Sequence, residues 1–366
     1  MKYLSELVDA LVNDILPSLH DLEQRFDGGV SIYGAGFVGE LACRYLQSKG
    51  VLVSNFIDRD PKKAGTHICG IPVVLPDSSV LGSVNCMLIA ARHAVNAVKI
   101  QMANHDFAAL SFDGYFVAKN YRRLVSIREH FLSDAKSVET FNAILTAMLT
   151  GSLEGCLDVM EKDMYFSLPK FSGTFDEIFV DAGAFVGDTV ERFIWENLGT
   201  FRHIYAFEPG VRQFKAMEKR VARLSEEWAF GLDSVSLVKG GLSSGSGKMT
   251  CTFVDDMPLR HGLAGRDTEG VSDDVDCVDV FSLDDFLDGS PVTFIKADVE
   301  GMEMELLRGA KETIARNKPK LAICVYHYPS DLYEVAEYIR ALVPEYRFSL
   351  RQHAPILGDY VLYCYL

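Results

Sequence analysis

One stretch limits the fold of this chain more than any other: Phe179-Val-Asp-Ala-Gly-Ala-Phe-Val-Gly-Asp-Thr189. A short apolar run, Ile178 to Val180, ends in Asp181. Gly183 and Gly187 follow, and Thr189-Val-Glu-Arg-Phe-Ile194 has helical spacing. The pattern predicts a strand, a tight turn and a helix start, with glycines that let the backbone approach a ligand at the strand's C-terminal edge. It is not the dinucleotide spelling Gly-x-Gly-x-x-Gly, which sets a pyrophosphate on the helix N-terminus. A carboxylate two residues before the first glycine repels a pyrophosphate and suits a ligand with an amine or other positive centre. S-adenosylmethionine, with its ammonium and sulfonium, is such a ligand.

The segments that follow keep to one alternation of strands and helices. Ile204-Tyr-Ala-Phe-Glu208 reads as a strand ending in an acid, stopped by Pro209-Gly210. Glu208 stands 25 residues beyond Gly183, where a carboxylate can accept both cis hydroxyls of a ribose. A helix over 211–224 and a strand over 235–238 come next, and Gly240-Gly-Leu-Ser-Ser244 is expected beside an adenine. The acid-rich stretch Asp255 to Asp276 reads as a lid or substrate loop, or equally as a disordered insert. In Val292-Thr-Phe-Ile-Lys-Ala-Asp-Val-Glu-Gly-Met-Glu303 an extended chain places Lys296, Asp298 and Glu300 on one face, before Gly301 turns into a helix over 302–315. Leu321-Ala-Ile-Cys-Val-Tyr-His-Tyr-Pro329 is a buried strand ending in His327, a group that can take a proton near neutral pH. Residues 346–353 and 360–366 read as a closing antiparallel hairpin whose connection carries His353 and Asp359. Tyr165-Phe166, just upstream of the glycine turn, are placed to cover a cofactor or to fill core.

The N-terminal half carries a second nucleotide-type unit. An amphipathic helix over 1–26 leads to Val30-Ser-Ile-Tyr-Gly-Ala-Gly-Phe-Val-Gly39, a true Gly34-x-Gly36-x-x-Gly39. Asp58 ends the next strand 19 residues past Gly39, where a dinucleotide fold holds ribose hydroxyls. Nucleotide binding at Gly34–Gly39 and Asp58 and mere strand–helix packing by those glycines both stay open. The stretch Asp58 to Gly65 with Ile68 to Val74 resembles the small N-terminal Rossmann-like domain of bacterial sugar-modifying enzymes. Further strands are expected over 86–90 and 112–116. The domain boundaries are therefore 1–120 for this unit, 121–170 for a helical connector and 171–366 for the second unit. The fold class is α/β, with two Rossmann-like doubly wound domains.

Composition excludes some functions. A net charge of −15, from 36 basic and 51 acidic residues, denies the chain the basic surface that a sequence-independent hold on nucleic acid needs. The eight cysteines form no Cys-x-x-Cys pair and several sit in apolar runs, as reduced, buried thiols do. The first residues lack the pattern of a signal peptide, and no apolar run nears the roughly 20 residues of a membrane span. The expectation is a cytoplasmic protein with no membrane or nucleic-acid partner, and a homo-oligomer is left open.

Taken together, Val180 to Thr189, Ala206-Phe-Glu-Pro209, Ser282-Leu-Asp-Asp285, Phe294 to Glu303, Val325-Tyr-His327 and Leu350-Arg-Gln-His353 resemble the FkbM-type S-adenosylmethionine-dependent methyltransferases over about residues 165–366. Phe185 stands where many methyltransferases have another glycine, a departure this family tolerates. The resemblance implies a class I methyltransferase sheet closed by an antiparallel hairpin. It also implies O-methylation of a hydroxyl on a sugar, glycan precursor or secondary metabolite, a small-molecule acceptor. The cofactor residues would be Asp181, Gly183, Ala184, Phe185, Gly187, Asp188, Thr189 and Glu208. On the residues themselves, His327 or His353 is the expected base, and Asp298 and Glu300 would orient the acceptor or hold a hard divalent cation such as Mg²⁺. The rival readings are an NAD-dependent sugar oxidoreductase or epimerase, weakened by the missing Tyr-x-x-x-Lys, and a nucleotide-sugar-binding module.

Overall fold

The computed structural model describes residues 2–253, 261–264 and 276–366. Most of the acid-rich stretch Asp255 to Asp276 therefore lies outside the described residues. Two compact units divide the chain. One comprises Met1–Glu129, Val138–Val159 and Pro355–Leu357, the other His130–Ser137, Met160–Ala354 and Gly358–Leu366.

In the first unit, α1 (Lys2–Gln24) buries Val8, Val12, Leu19 and Leu22, a stripe at helical spacing. The strands are β1 (Val30–Tyr33), β2 (Val53–Ile57), β3 (His67–Ile68), β4 (Ile71–Val74), β5 (Cys86–Ile89) and β6 (Ala108–Ser111). They lie in the order β3-β4-β2-β1-β5-β6, parallel except for β3. The helices are α2 (Phe37–Ser48), α3 (Ser78–Gly82), α4 (Val95–Met102), α5 (Phe112–His130), α6 (Ala135–Thr150) and α7 (Glu154–Val159). This is the Rossmann-like order expected of the unit. The strand expected over 112–116 is instead the first turn of α5. Phe112, Tyr115 and Phe116 sit at i, i+3 and i+4, and all three rings meet Tyr45 within 6.3 Å, a helical spacing that the strand reading overlooked. The segment expected as a connector over 121–170 is shared between the two units.

The second unit is built on a seven-stranded sheet in the order β16-β17-β15-β14-β7-β8-β9. Its strands are β7 (Ile178–Ala182), β8 (His203–Phe207), β9 (Val235–Val238), β14 (Phe294–Ala297), β15 (Lys320–Cys324), β16 (Arg347–Gln352) and β17 (Tyr360–Tyr365). Five run parallel, and β17 pairs antiparallel with both β15 and β16, so the terminal hairpin closes the sheet. The flanking helices are α8 (Asp188–Glu196), α9 (Val211–Trp228), α10 (Leu283–Leu287), α11 (Glu303–Gly309), α12 (Lys311–Asn317) and α13 (Asp331–Leu342). A second sheet of four strands joins β10 (Gly241–Leu242), β13 (Asp276–Phe281), β11 (Gly247–Phe253) and β12 (His261–Ala264). The helix expected over 302–315 is broken at Gly309–Ala310. A Cβ on Gly309 would stand 2.0 Å from the Ser243 carbonyl oxygen, so the break lets two segments of backbone pack closely.

The core of this unit is aromatic. Phe179 on β7 stacks on Phe193 of α8 at 4.3 Å and touches Phe294 of β14 at 4.8 Å, and Phe171 meets Phe294 edge-on at 5.3 Å. Each such pair contributes about 0.5–1.5 kcal/mol beyond its buried area. They fix α8 against β7 and β14, and so fix the turn between β7 and α8. With β8 on one side of β7 and β14 on the other, the strand order reverses there, which is where open α/β sheets bind ligands.

Candidate active site

The β7–α8 turn is dictated by space. Gly183 has φ +78°, and a Cβ there would lie 1.9 Å from the Asp298 carbonyl oxygen, so only glycine lets the turn nest against the end of β14. Phe185 also adopts a left-handed conformation (φ 48°). That orientation aims its amide at Glu208, whose Oε2 accepts from it at 2.9 Å while Oε1 accepts from the Gly210 amide at 2.7 Å. Burial pushes the Glu208 carboxyl up to about 7, against the pull of these two amides and of Lys296.

Behind the turn lies an enclosed ion pair. Lys296 Nζ is 2.9 Å from Asp181 Oδ1, and it also donates to the carbonyls of Ala182 (3.2 Å) and Gly183 (2.7 Å). Both side chains are essentially inaccessible. Burial would lower the Lys296 pKa, but Asp181 and Asp298 outweigh it and hold the ammonium above its ordinary value.

At the end of β14, Asp298 Oδ2 accepts from the Tyr165 hydroxyl at 2.8 Å and Oδ1 from the Tyr326 hydroxyl at 3.0 Å. Burial alone would raise its pKa, yet Lys296, His327 and the two tyrosines keep it below the ordinary carboxylate value. His327 is buried among acids: Nδ1 stands 3.0 Å from Glu303 Oε1, and Nε2 is 3.5 Å from Glu300 and 3.7 Å from Asp298. Burial would lower its pKa, but Glu303, Glu300 and Asp298 raise it well above the ordinary value.

A cavity of about 600 Å³ opens at this edge. Of the residues expected to hold a cofactor, Gly183, Phe185, Asp188, Thr189 and Glu208 line it. Asp181, Ala184 and Gly187 stand behind them: Asp181 faces Lys296, Ala184 is buried in the core, and Gly187 (φ +78°) caps α8. Of the residues expected to act on an acceptor, Asp298 and Glu300 line the cavity and the two histidines do not. The acids around His327 favour its protonated form. His353 Nδ1 and Nε2 stand 3.0 Å from the Glu161 carbonyl and the Tyr363 hydroxyl, and burial lowers its pKa. Both rings lie behind the cavity wall, His327 beside Glu303 and His353 between the Glu161 carbonyl and the Tyr363 hydroxyl.

The cavity also takes in Tyr165, Lys296, Tyr326 and Asp359. A lysine inside the apolar strand Phe294 to Ala297 was the signal for a buried ion pair, since such a charge persists only when paired. Asp298, Glu303 and His327 each offer a donor atom within 4.8 Å of the others.

The first unit repeats the same local device. Asp58 Oδ2 accepts from the Ala35 amide (2.8 Å) and from Lys63 (2.9 Å), and Oδ1 from the Asp60 amide (2.9 Å). A Cβ on Gly39 would lie 1.9 Å from the Gly34 carbonyl oxygen, so that glycine serves strand–helix packing.

Residues 181–350 match the model of the methyltransferase FkbM domain. The crystal structure of a methyltransferase FkbM from Methylobacillus flagellatus KT is similar over 99% of both chains, at 22% identity and a TM-score of 0.61, and so shares the fold. An rRNA methylase from Streptococcus thermophilus is similar over 52% of this chain and 86% of its own, at 16% identity and a TM-score of 0.32. No curated protein matches the chain. The match to the methyltransferase FkbM domain thus falls, over residues 181–350, within the unit built on the seven-stranded sheet.

Proposed function

We propose that this chain is an S-adenosylmethionine-dependent O-methyltransferase acting on a hydroxyl of a sugar, a glycan precursor or a secondary metabolite. The observation that carries the reading is Glu208. Its two oxygens are each fixed by one backbone amide at the cavity wall, and each keeps a lone pair for one of two cis hydroxyls of a ribose. The rest of the cavity fits the same cofactor. About 600 Å³ lies within the range of small-molecule sites. The Tyr165, Tyr326 and Phe185 rings beside the Asp298 carboxylate suit a positive centre such as a sulfonium.

When bound, S-adenosylmethionine supplies an electrophilic methyl group on a cationic sulfur. The chain has to hold an acceptor in line and find a place for its proton. Glu208 anchors the ribose end, and the Gly183 turn, pinned from behind by Lys296, sets the backbone against which the cofactor lies. Asp298, whose pKa is held down by Lys296, His327 and two tyrosine hydroxyls, orients the acceptor and favours positive charge. Asp181 serves this site at one remove, by fixing Lys296. A divalent cation at Asp298 and Glu300 belongs to the same reading, and chelator-insensitive turnover would dismiss it.

The reaction class is tested with methyl-labelled S-adenosylmethionine and a panel of sugars, nucleotide sugars and hydroxylated metabolites. Label recovered as a methyl ether identifies the acceptor. Label recovered on nitrogen or carbon, or on no member of the panel, counts against O-methylation.

A further inference from the structure

We propose that the Asp359 carboxylate is the catalytic base that takes the acceptor's hydroxyl proton. The inference rests on the methyl-transfer reading above. Asp359 lies in the turn between β16 and β17, lines the cavity, and is fixed there by its carbonyl, which accepts the His353 amide at 2.9 Å.

The other candidates are committed. Asp298 accepts from two tyrosine hydroxyls and its pKa is held below the ordinary value by Lys296 and His327, which makes it the weaker base. Glu208 is taken up by the ribose end, Glu300 stands 3.5 Å from His327 Nε2, and the histidines lie off the cavity wall. Among the described residues, no hydrogen bond or ion pair engages the Asp359 carboxylate. The charged groups acting on it are Asp298 and Glu300 from the end of β14 and His327 from the end of β15, and its own charge acts on Tyr326. Burial, then Asp298 and Glu300, raise its pKa, with His327 opposing. A carboxylate so placed is more basic than an ordinary one and free to accept a proton.

The step balances. The acceptor O–H gives its proton to Asp359 as the acceptor oxygen bonds to the methyl carbon. The carbon–sulfur bond breaks with its electron pair staying on sulfur, which leaves neutral S-adenosylhomocysteine and a methyl ether. Asp359 returns the proton to solvent after product release.

The test is Asp359→Asn, because asparagine keeps the shape and tolerates the left-handed backbone at this position (φ 51°). Three measurements apply: calorimetric binding of S-adenosylhomocysteine, transfer of labelled methyl to methyl α-D-glucopyranoside, and carboxyl titration by NMR on aspartate-labelled protein, taking the signal absent from the variant as Asp359. The expected result is unchanged affinity to within about twofold, transfer reduced by about a hundredfold or more, and a carboxyl titrating above 3.8. Transfer by the variant within about tenfold of wild type, or titration at or below 3.8, overturns the assignment and leaves the cofactor reading standing. The titration needs no acceptor, so it decides the matter even where the glucoside takes no label. Failure of the wild-type protein to bind S-adenosylhomocysteine brings down the cofactor reading, and the base with it.

Discussion

Lys296→Met separates the inner support of the site from its exposed wall. The substitution keeps length and apolar volume but removes the ammonium that stands 2.9 Å from Asp181. Asp181, wholly buried, is then left without its counter-charge, which costs about 3–5 kcal/mol. In a body of 150–250 residues each kcal/mol moves Tm by about 2–4 °C, so the variant should melt roughly 6–20 °C lower. The Ala182 and Gly183 carbonyls also lose their charged donor, so the turn loosens and S-adenosylhomocysteine affinity falls. The double variant Asp181→Asn with Lys296→Met removes both charges, and a buried amide is far easier to accommodate than a lone carboxylate. It should recover at least half of the lost Tm. Thermal melts followed by circular dichroism, with calorimetry on the folded variants, give both numbers. A single variant that melts within about 2 °C of wild type, or a double variant that melts below the single one, would refute this account of the ion pair.

Glu208 makes the site sensitive to pH in a stated direction. Its folded pKa of about 7 lies above the ordinary 4.5, so the group favours folding at low pH and that contribution is lost as pH rises through about 7. Ribose hydroxyls bound by the ionised carboxylate release its proton, so S-adenosylhomocysteine affinity should rise between pH 6 and 8, by up to about tenfold per unit below the pKa. Glu208→Gln should flatten that profile, and an affinity that falls with pH would contradict it. Gly183→Ala forces a Cβ to within 1.9 Å of the Asp298 carbonyl at a left-handed φ of +78°. Melts should show a loss of about 2 kcal/mol or more, with ligand binding abolished. A variant that binds normally would mean that the turn has more room than its packing indicates.

The sequence carried the architecture well because its two periods are strong here. Short apolar runs ending in acids mark the parallel strands, and helical spacing marks what lies between. The reading failed where both periods are compatible with the same residues. Phe112-Asp-Gly-Tyr-Phe116 looks like a strand until Phe112 and Phe116 are seen to share the Tyr45 contact. The break at Gly309 was invisible because its cause, the Ser243 carbonyl, comes from a distant part of the chain.

Within the site, the sequence revealed which strand ends meet but not which side chains face the opening. Asp181 and Glu208 both end strands, yet one turns inward to Lys296 and the other faces the cavity. His327 looked like a base because an isolated histidine titrates near neutrality. Three acids from the β14–α11 segment raise its pKa, and only the fold brings them together. Asp359, in the connection of a hairpin, carried no pattern of its own.

The central claim is that the β7–α8 edge binds S-adenosylmethionine through Glu208. It is tested most directly by calorimetric titration of S-adenosylhomocysteine into the wild-type protein and Glu208→Ala. Two charge-assisted hydrogen bonds at about 1.5–3 kcal/mol each predict an affinity lower by roughly two to four orders of magnitude in the variant. The two proteins should melt within a few degrees of each other in the absence of ligand. Equal affinity in both, or no binding by the wild-type protein, would contradict the account.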